Sequence, residues 1–524
     1  MKNYYITTPI YYPSNKLTLG NCYTTVLCDA IARFHRNLGE NVFFLTGTDE
    51  HGQKIAKIAS EKGIKEIDYL NEIIEDTKKL WKELNISYDK FIRTTDKYHE
   101  QTVSKIFDKL YQKGDIYKST YKGKYCVPCE SFWSDDQLID GKCPDCGREV
   151  IEANEESYFF RLSKYEPALR KLYSDNPNFL VPVSRANEMI NNFFNQGLKD
   201  LCVSRKTVKW GIPVSFDKEQ TIYVWIDALS NYISALGYLS DDETLFKNFW
   251  PADVHVVGKE IIRFHAIIWP AILMALDLPL PKQIFGHGWL TFGNGKLSKS
   301  KEVEKKEVID PRILNARYSS DSVRNFLIGE ISFGQDGPYT QEGFLNSYNG
   351  ILANKVGNIF SRLTGMVIKY NTGIIEKGNN EQEIDFNFKN KIKELKSECI
   401  SNMLELKPTL AYKSALKIID ECNSYIDNNK PWELAKDENN ASRINTILYF
   451  SVQAMLEAYT LLNAFLPEST KKVLTIFGID KVQINEQSIF DFEINKIKLE
   501  KNEPLFARLD IAKEMAELNT IANS

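Results

Sequence analysis

The apolar pattern of this chain changes character near Tyr348, and no single core can satisfy both halves. Before that point β-branched and aromatic runs alternate with segments of helical spacing; from about Tyr348 onward come long amphipathic helices with few strand signals. The first pattern predicts a parallel sheet clothed in helices, the second a helical bundle. At 524 residues there is length for roughly three domains. A hydrophobic share of 43% beside 26% charged residues is that of a soluble globular protein. The net charge of −4 excludes a bulk polycation, so any nucleic acid must meet local patches. The N-terminus carries no secretory apolar run, and Ile267–Leu280 is broken by Pro270 and Asp277, which excludes a membrane span there. A cytoplasmic enzyme is the expectation.

The opening run Tyr4-Tyr5-Ile6-Thr7-Thr8-Pro9-Ile10-Tyr11-Tyr12 reads as strand and loop. A helical pattern follows from about Asn21, with Val26, Leu27, Ala30, Ile31, Phe34 and Leu38 on one face and Gly39 at the C-terminal cap. Leu17-Thr18-Leu19-Gly20-Asn21 then lies at a helix N-terminus, where free N–H groups and the dipole favour phosphate. The next strand, Asn41–Thr46, ends in Gly47-Thr48-Asp49-Glu50-His51-Gly52. Ligands of open parallel sheets bind beyond the carboxyl ends of strands, which makes Asp49 and His51 site candidates; a helix cap and turn is the plainer alternative. The same logic returns in Asp253–Gly258, a helix through Ile261–Ala275, and Gln283–His287.

Between these halves stand Cys126-Val-Pro-Cys129 and, thirteen residues later, Cys143-Pro-Asp-Cys146. Two Cys-x2-Cys pairs at that spacing predict one structural zinc held by four thiolates, with no open position for catalysis. The other five cysteines, Cys22, Cys28, Cys202, Cys399 and Cys422, show no ligand spacing and are assigned to the core. Farther on, Lys296-Leu297-Ser298-Lys299-Ser300, with Gly293 and Gly295 just before it, can fold over a triphosphate and neutralise charge as pyrophosphate departs. A solvated surface loop is the alternative reading of the pentapeptide alone.

Together these residues resemble the class I aminoacyl-tRNA synthetases over nearly the whole chain, in their methionyl branch. The resemblance rests on Thr7–Tyr12, Thr46–Lys54, Tyr223-Val-Trp225-Ile-Asp227-Ala228, Gly258-Lys259-Glu260-Ile261 and Lys296–Ser300, which occur in the family's order, and on the cysteine pairs. It implies a split Rossmann-type α/β sheet with a zinc-binding insert, followed by an all-α anticodon-binding bundle. The corresponding domains are 1–115 and 221–290 for the two sheet halves, 116–220 for the insert with its knuckle at 126–146, 291–346 for the lysine loop and stem-contact region, and 347–524 for the bundle.

The implied activity is ATP-dependent activation of methionine and its transfer to the 3′ end of tRNA(Met), with Mg2+ accompanying ATP. For methionine the resemblance implies Asp49 at the amino group, with Ile10, Tyr12, Trp225, Ala228, Leu229, Tyr232 and His287 shaping the pocket. Catalytic parts fall to Lys296, Lys299, Thr18 and Asn21, and ATP contacts to Gly20, Ser298, Gly258, Lys259 and Glu260. In the bundle Asn358, Arg362 and Trp432 match anticodon-reading positions, implying recognition of CAU by a monomer. Leu352, Val356, Ile359, Phe360, Leu363 and Met366 form the buried stripe beneath the first two. The chain departs from the family at Thr18-Leu19-Gly20-Asn21, where a His-x-Gly-His signature is usual. Thr and Asn hydrogen-bond phosphate but carry no imidazole charge, and that departure motivates one competing reading, a tRNA-binding paralogue without catalysis.

Overall fold

In the computed structural model, residues 2–126, 131–133, 135, 138–144, 146–292, 295–296 and 310–523 are described. Among them a six-stranded sheet runs in the order Lys90–Arg93, Asn41–Thr48, Asn3–Thr7, Val254–Gly258, Ile284–His287, Leu180–Val181, and every neighbouring pair is parallel. Asn3–Thr7 lies between the strand that follows it and one about 250 residues later, with Tyr5 opposite Phe43 and Thr7 opposite His255. The chain order therefore reverses at the first strand, which opens a crevice at its carboxyl end.

The first helix spans Leu19–Asn37, two residues earlier than the apolar spacing suggests, because Thr18 is its extended N-cap residue. It ends at Leu38, after which Gly39 takes a positive φ of 83°. The later segment read as one helix changes pitch twice: a 3-10 turn at Lys259–Ile261, a π turn at Phe264–Ile268 and an α-helix at Trp269–Ala275. Apolar spacing cannot announce such changes, since all of Phe264–Ile268 is buried whatever the pitch.

The insert is an antiparallel sheet ordered Ser131–Trp133, Ile116–Cys126, Ile151–Phe160, Leu201–Cys202. It is not wholly apart from the parallel sheet, because Leu180–Val181, inside the stretch 116–220, pairs with Ile284–Phe285 at the sheet's edge. Two residues are too short for a periodicity to reveal.

Beyond Tyr348 the described residues contain no strand, only helices, chiefly Asn358–Asn371, Glu383–Leu404, Pro408–Asn429 and Ala441–Leu462. Leu352, Val356, Ile359, Phe360 and Leu363 are buried as expected, but Met366 is only partly buried and Val367 completes the stripe. The π-helical stretch Tyr348–Gly357 widens the turn before this helix and so shifts its phase against an ideal 3.6-residue spacing.

One continuous apolar cluster runs from Tyr4 and the first helix to Leu518, so the bundle shares its core with one face of the sheet. The other face and the insert form a second core. At the joint lies Arg324, fully buried, with Nη1 2.7 Å from Asp29 of the first helix and donations to the Phe465, Ala464 and Leu84 carbonyls. No described helix is long and apolar enough to cross a membrane.

Candidate active site

The carboxyl ends of Asn3–Thr7, Asn41–Thr48, Val254–Gly258 and Ile284–His287 gather residues far apart in sequence. The loop after the first strand is stitched to the second: Tyr11 N–H donates to Gly47 O (2.9 Å) and Asp49 N–H to Tyr11 O (3.0 Å). This brings Ile10 and Tyr12 beside Asp49. Tyr12 packs near Ile55 and Tyr69, and Lys54 Nζ stands 5.9 Å from its ring centre.

The Asp49 loop is held by buried charge. Glu50 accepts from Arg93 through Nε (2.8 Å) and Nη2 (2.9 Å), and from Thr95 Oγ1 (2.6 Å), while its own carbonyl accepts from Trp210 Nε1 (2.7 Å). His51 Nδ1 donates to Asp227 Oδ2 at 2.6 Å, and His99 Nε2 donates to Asp227 Oδ1 at 2.7 Å. Burial alone would raise the Asp227 carboxyl, but the charges and hydrogen bonds of both imidazoles bring it below its ordinary value. Burial likewise opposes protonation of His51, and Asp227, with Glu100 and Glu50, outweighs it, so its pKa is raised. Asp227 follows Trp225 by two residues, so the acid that fixes the Asp49 loop comes from the helix Val224–Ser234 that supplies Ala228, Leu229 and Tyr232.

Those three side chains are buried, and Trp225 stacks on Phe264 with ring centres 3.6 Å apart and planes 6° from parallel. Tyr232 Oη meets His265 Nε2 at 2.7 Å, and His265 Nδ1 meets the Ile261 carbonyl at 2.9 Å. A carbonyl only accepts, so Nδ1 carries the proton and Nε2 accepts from the phenol. Burial pulls the His265 pKa to about 4, only partly opposed by Ile261, and the imidazole is neutral at neutral pH. His287 lies with other partners: Nδ1 donates to Gly288 O (2.6 Å), Nε2 accepts from Thr24 Oγ1 (2.7 Å), and the Tyr23 ring packs edge-on at 5.3 Å. It therefore faces the first helix, while His265 is the imidazole at the Tyr232 hydroxyl.

At the first helix, Asn21 Oδ1 accepts from the Thr18 N–H at 3.0 Å and from Thr18 Oγ1 at 3.3 Å, closing the first turn on itself. A Cβ at Gly20 would meet only Thr18 Oγ1, at 3.8 Å. Packing inside the chain thus places no demand for glycine there.

Gly258-Lys259-Glu260 forms the 3-10 turn at the end of its strand. Lys259 Nζ bonds both Asp336 oxygens, at 2.8 and 2.6 Å, and stands 3.9 Å above the Trp289 ring. Trp289 donates its indole N–H to Glu260 Oε2 (2.6 Å) and its backbone N–H to Asp336 Oδ1 (2.8 Å). The backbone of Gly295–Lys296 pairs with Thr291–Phe292; Ser298 and Lys299 lie outside the described residues.

The sulfurs of Cys126, Cys143 and Cys146 lie within 4.8 Å of one another, Cys126 and Cys146 at 3.6 Å. Three soft donors at that spacing suit a tetrahedral thiolate metal; Cys129 lies outside the described residues. Cys22, Cys28, Cys202, Cys399 and Cys422 are buried.

In the bundle Asn358 is exposed and Arg362 sits one turn along the same helix. Arg362 Nη1 donates to Asn423 Oδ1 (2.8 Å) and Nη2 pairs with Asp427. The Pro408–Asn429 helix that carries both partners leads through Lys430 into the short helix Pro431–Leu434, where Trp432 is partly buried.

Sequence reasoning missed His265, Phe264 and Asp336, and it did not connect Asp227 to His51. One signal was available: Arg263 and His265 are polar residues inside Ile261-Ile-Arg-Phe-His-Ala-Ile-Ile-Trp269, and a polar group in an apolar run needs a partner. For Asp336 the sequence offers none.

A family model described as "tRNA synthetases class I (M)" matches residues 4–154 and 149–364. The methionine–tRNA ligase of Clostridium acetobutylicum is 51% identical over 520 residues, which is 99% of this chain and 80% of that protein. The methionine–tRNA ligase of Caldanaerobacter subterraneus subsp. tengcongensis is 51% identical over 518 residues, with the same coverage. Among solved structures, Mycobacterium tuberculosis methionyl-tRNA synthetase in complex with methionyl-adenylate superposes with a TM-score of 0.90 at 35% identity, covering 97% of this chain and all of that one.

Proposed function

The chain belongs to the methionine–tRNA ligases, the methionyl branch of the class I tRNA synthetases, and from that premise we propose how its residues divide the work. The reaction activates methionine with ATP to methionyl-adenylate and passes the methionyl group to tRNA. The observation that carries the residue assignment is the meeting, at the sheet's switch point, of the braced Asp49 loop, the Trp225–Phe264 wall and the glycine-containing helix start.

In this reading Asp49 accepts the methionine ammonium, and the Glu50–Arg93 and His51–Asp227 bonds keep its loop in place. Ile10, Tyr12, Trp225, Ala228 and Leu229 surround the unbranched side chain. Tyr232 donates its hydroxyl hydrogen bond to His265, which turns the phenol oxygen's lone pairs and the edge of a neutral imidazole toward a polarizable sulfur. We assign the sulfur end to Tyr232 and His265, and His287, bonded to Thr24, to the side of the slot nearest the first helix.

ATP, accompanied by Mg2+, is assigned to the opposite wall. Thr18, Gly20 and Asn21 offer the helix N-terminus to phosphate, Gly258, Lys259 and Glu260 stand at the ribose, and Lys296, Ser298 and Lys299 close on the departing pyrophosphate. The methionine carboxylate attacks the α-phosphorus in line, so the protein supplies position and charge and forms no covalent intermediate. Thr18 and Asn21 hold their turn closed with one hydrogen-bonded oxygen, and the positive charge at the phosphates is left to the lysines.

Cys126, Cys143 and Cys146 fit a structural zinc, with Cys129 as fourth ligand; bound there, the ion supplies cross-linking of the knuckle and no catalytic position. In the bundle, Asn358, Arg362 and Trp432 are assigned to the CAU anticodon of tRNA(Met), two as hydrogen-bonding groups and one as a stacking surface, in a monomer.

Methionine-dependent exchange of labelled pyrophosphate into ATP tests the assignment. Exchange is expected with methionine and not with leucine or isoleucine, and Asp49→Ala is expected to lower kcat/KM for methionine by about a hundredfold or more. Exchange that persists unchanged in Asp49→Ala would remove Asp49 from the site.

A further inference from the structure

We propose that Arg263 is a positioning residue for the methionine pocket, a clip through which the cysteine-bearing insert holds the pocket's aromatic wall; this rests on the pocket reading above. Its guanidinium carbon stands 4.3 Å from the ring centre of Trp133, 4.7 Å from that of Phe264 and 5.4 Å from that of Phe193. Phe264 in turn lies flat on Trp225 at 3.6 Å. Trp133 is the last residue of the strand Ser131–Trp133 and packs with Cys126 and Cys143, while Phe193 ends the helix Val183–Asn192. One cation therefore joins two separate segments of the insert to the wall of the slot.

Rings rather than acids hold this cation. Arg263 Nε is buried without a hydrogen-bond partner, and among the described residues no carboxylate pairs with the guanidinium. A planar, weakly hydrated guanidinium suits that surrounding, because its faces stack on aromatic rings while an ammonium offers charge without a plane. The helical pitch changes here as well, from the 3-10 turn Lys259–Ile261 to the π turn Phe264–Ile268, and π turns of this kind recur at functional sites. Of two consecutive residues, Arg263 reaches the insert and Phe264 faces the pocket tryptophan. Trp133 and Phe264 are both almost fully buried, at 2% and 3% exposure, so neither ring has solvent to turn into while the clip is in place.

Without the clip, Phe264 loses the layer behind it and its fixed position against Trp225. The slot for the thioether side chain loses definition, whereas the phosphate contacts lie on other elements and the ribose turn is held by its own bonds, Lys259 to Asp336 and Glu260 to Trp289.

The test uses the full chain and begins with wild-type exchange. Its dependence on methionine and on Asp49 tests the reading of the site, and only the variants test the clip. Arg263→Leu is expected to raise the KM for methionine roughly tenfold, with the ATP KM and kcat within about twofold of wild type. Arg263→Lys is expected to recover part of the loss. Trp133→Leu should raise the methionine KM to a similar extent, and the double variant should be no worse than the more affected single one, because both act through one contact. An unchanged methionine KM in folded Arg263→Leu overturns the proposal, as does an equal rise in the ATP KM or full additivity in the double variant. A lowered Tm with an unaltered KM marks a purely structural arginine and overturns it too. Should Arg263→Leu fail to fold, Arg263→Lys and Trp133→Leu decide, an unchanged methionine KM in both being the negative result.

Discussion

Asp227 holds more of the site together than any single candidate drawn from the sequence. It receives one imidazole N–H from the Asp49 loop and another from the helix Lys97–Gln112, while its own helix carries the pocket rings. Two charge-assisted bonds to one buried carboxylate are strong because the surroundings cannot screen them. The raised His51 pKa contributes stability that is full below about 6.5, the unfolded value, and is lost as pH rises through the higher folded value. The lowered Asp227 pKa contributes stability that is present above about 3.9 and lost on acidification. Asp227→Asn removes both, so Tm should fall most between these limits and converge toward wild type as pH rises past the His51 titration. Tm profiles of the two proteins over that range check the sign, and a difference that grows toward alkaline pH would exclude the pair as its source. The same substitution should raise the methionine KM, since the Asp49 loop then loses its tie to the helix that carries Trp225 and keeps only those made through Glu50 and its backbone, among them Arg93, Thr95, Trp210 and Tyr11.

At the scale of elements, the first turn of the Leu19–Asn37 helix carries the departure from the family signature. Asn21 closes on Thr18, so the two residues cap the helix in addition to the phosphate role proposed for them. Asn21→Ala should cost about 0.5–2 kcal/mol of stability as a lost cap, read from urea unfolding, and should slow pyrophosphate exchange in addition. A loss of stability with unchanged exchange would leave Asn21 as a cap alone. That helix was legible because its stripe is regular and Gly39 marks its end, while its start lay two residues before the Asn21 that the spacing indicated. The Lys259–Ala275 segment was legible as buried but not as three pitches, and its pocket residues, Phe264 and His265, lie in the stretch whose pitch the spacing could not give.

At the scale of the molecule, sheet and bundle are bolted rather than tethered. Arg324, buried in the helix Ser320–Gly329 between them, reaches Asp29 at 2.7 Å on the sheet side, the Leu84 carbonyl, and the Ala464 and Phe465 carbonyls of the bundle. Burial would raise the Asp29 carboxyl, but Arg33 and Arg324 hold it below its ordinary value, so its contribution is present above about 3.9 and lost as pH falls through the folded value. Arg324→Met leaves that carboxylate and the carbonyls short of a partner, which should cost about 3–5 kcal/mol and move acid unfolding to higher pH. A smaller loss with the acid midpoint unmoved would mean that the two halves are joined by apolar packing alone. Local chemistry that depends on neighbours in the chain was determined by the sequence itself: the strand–helix alternation, the cysteine spacing, the first helix's apolar stripe with its Gly39 end, and the switch to a bundle all follow from periodicity and residue type. Only the tertiary structure decided which imidazole meets Tyr232, which acid braces the Asp49 loop, that Leu180–Val181 returns to the sheet, and that one core runs through both halves. Those contacts join residues tens to hundreds of positions apart, and a partner chosen by packing geometry leaves no periodic trace in the chain that carries it.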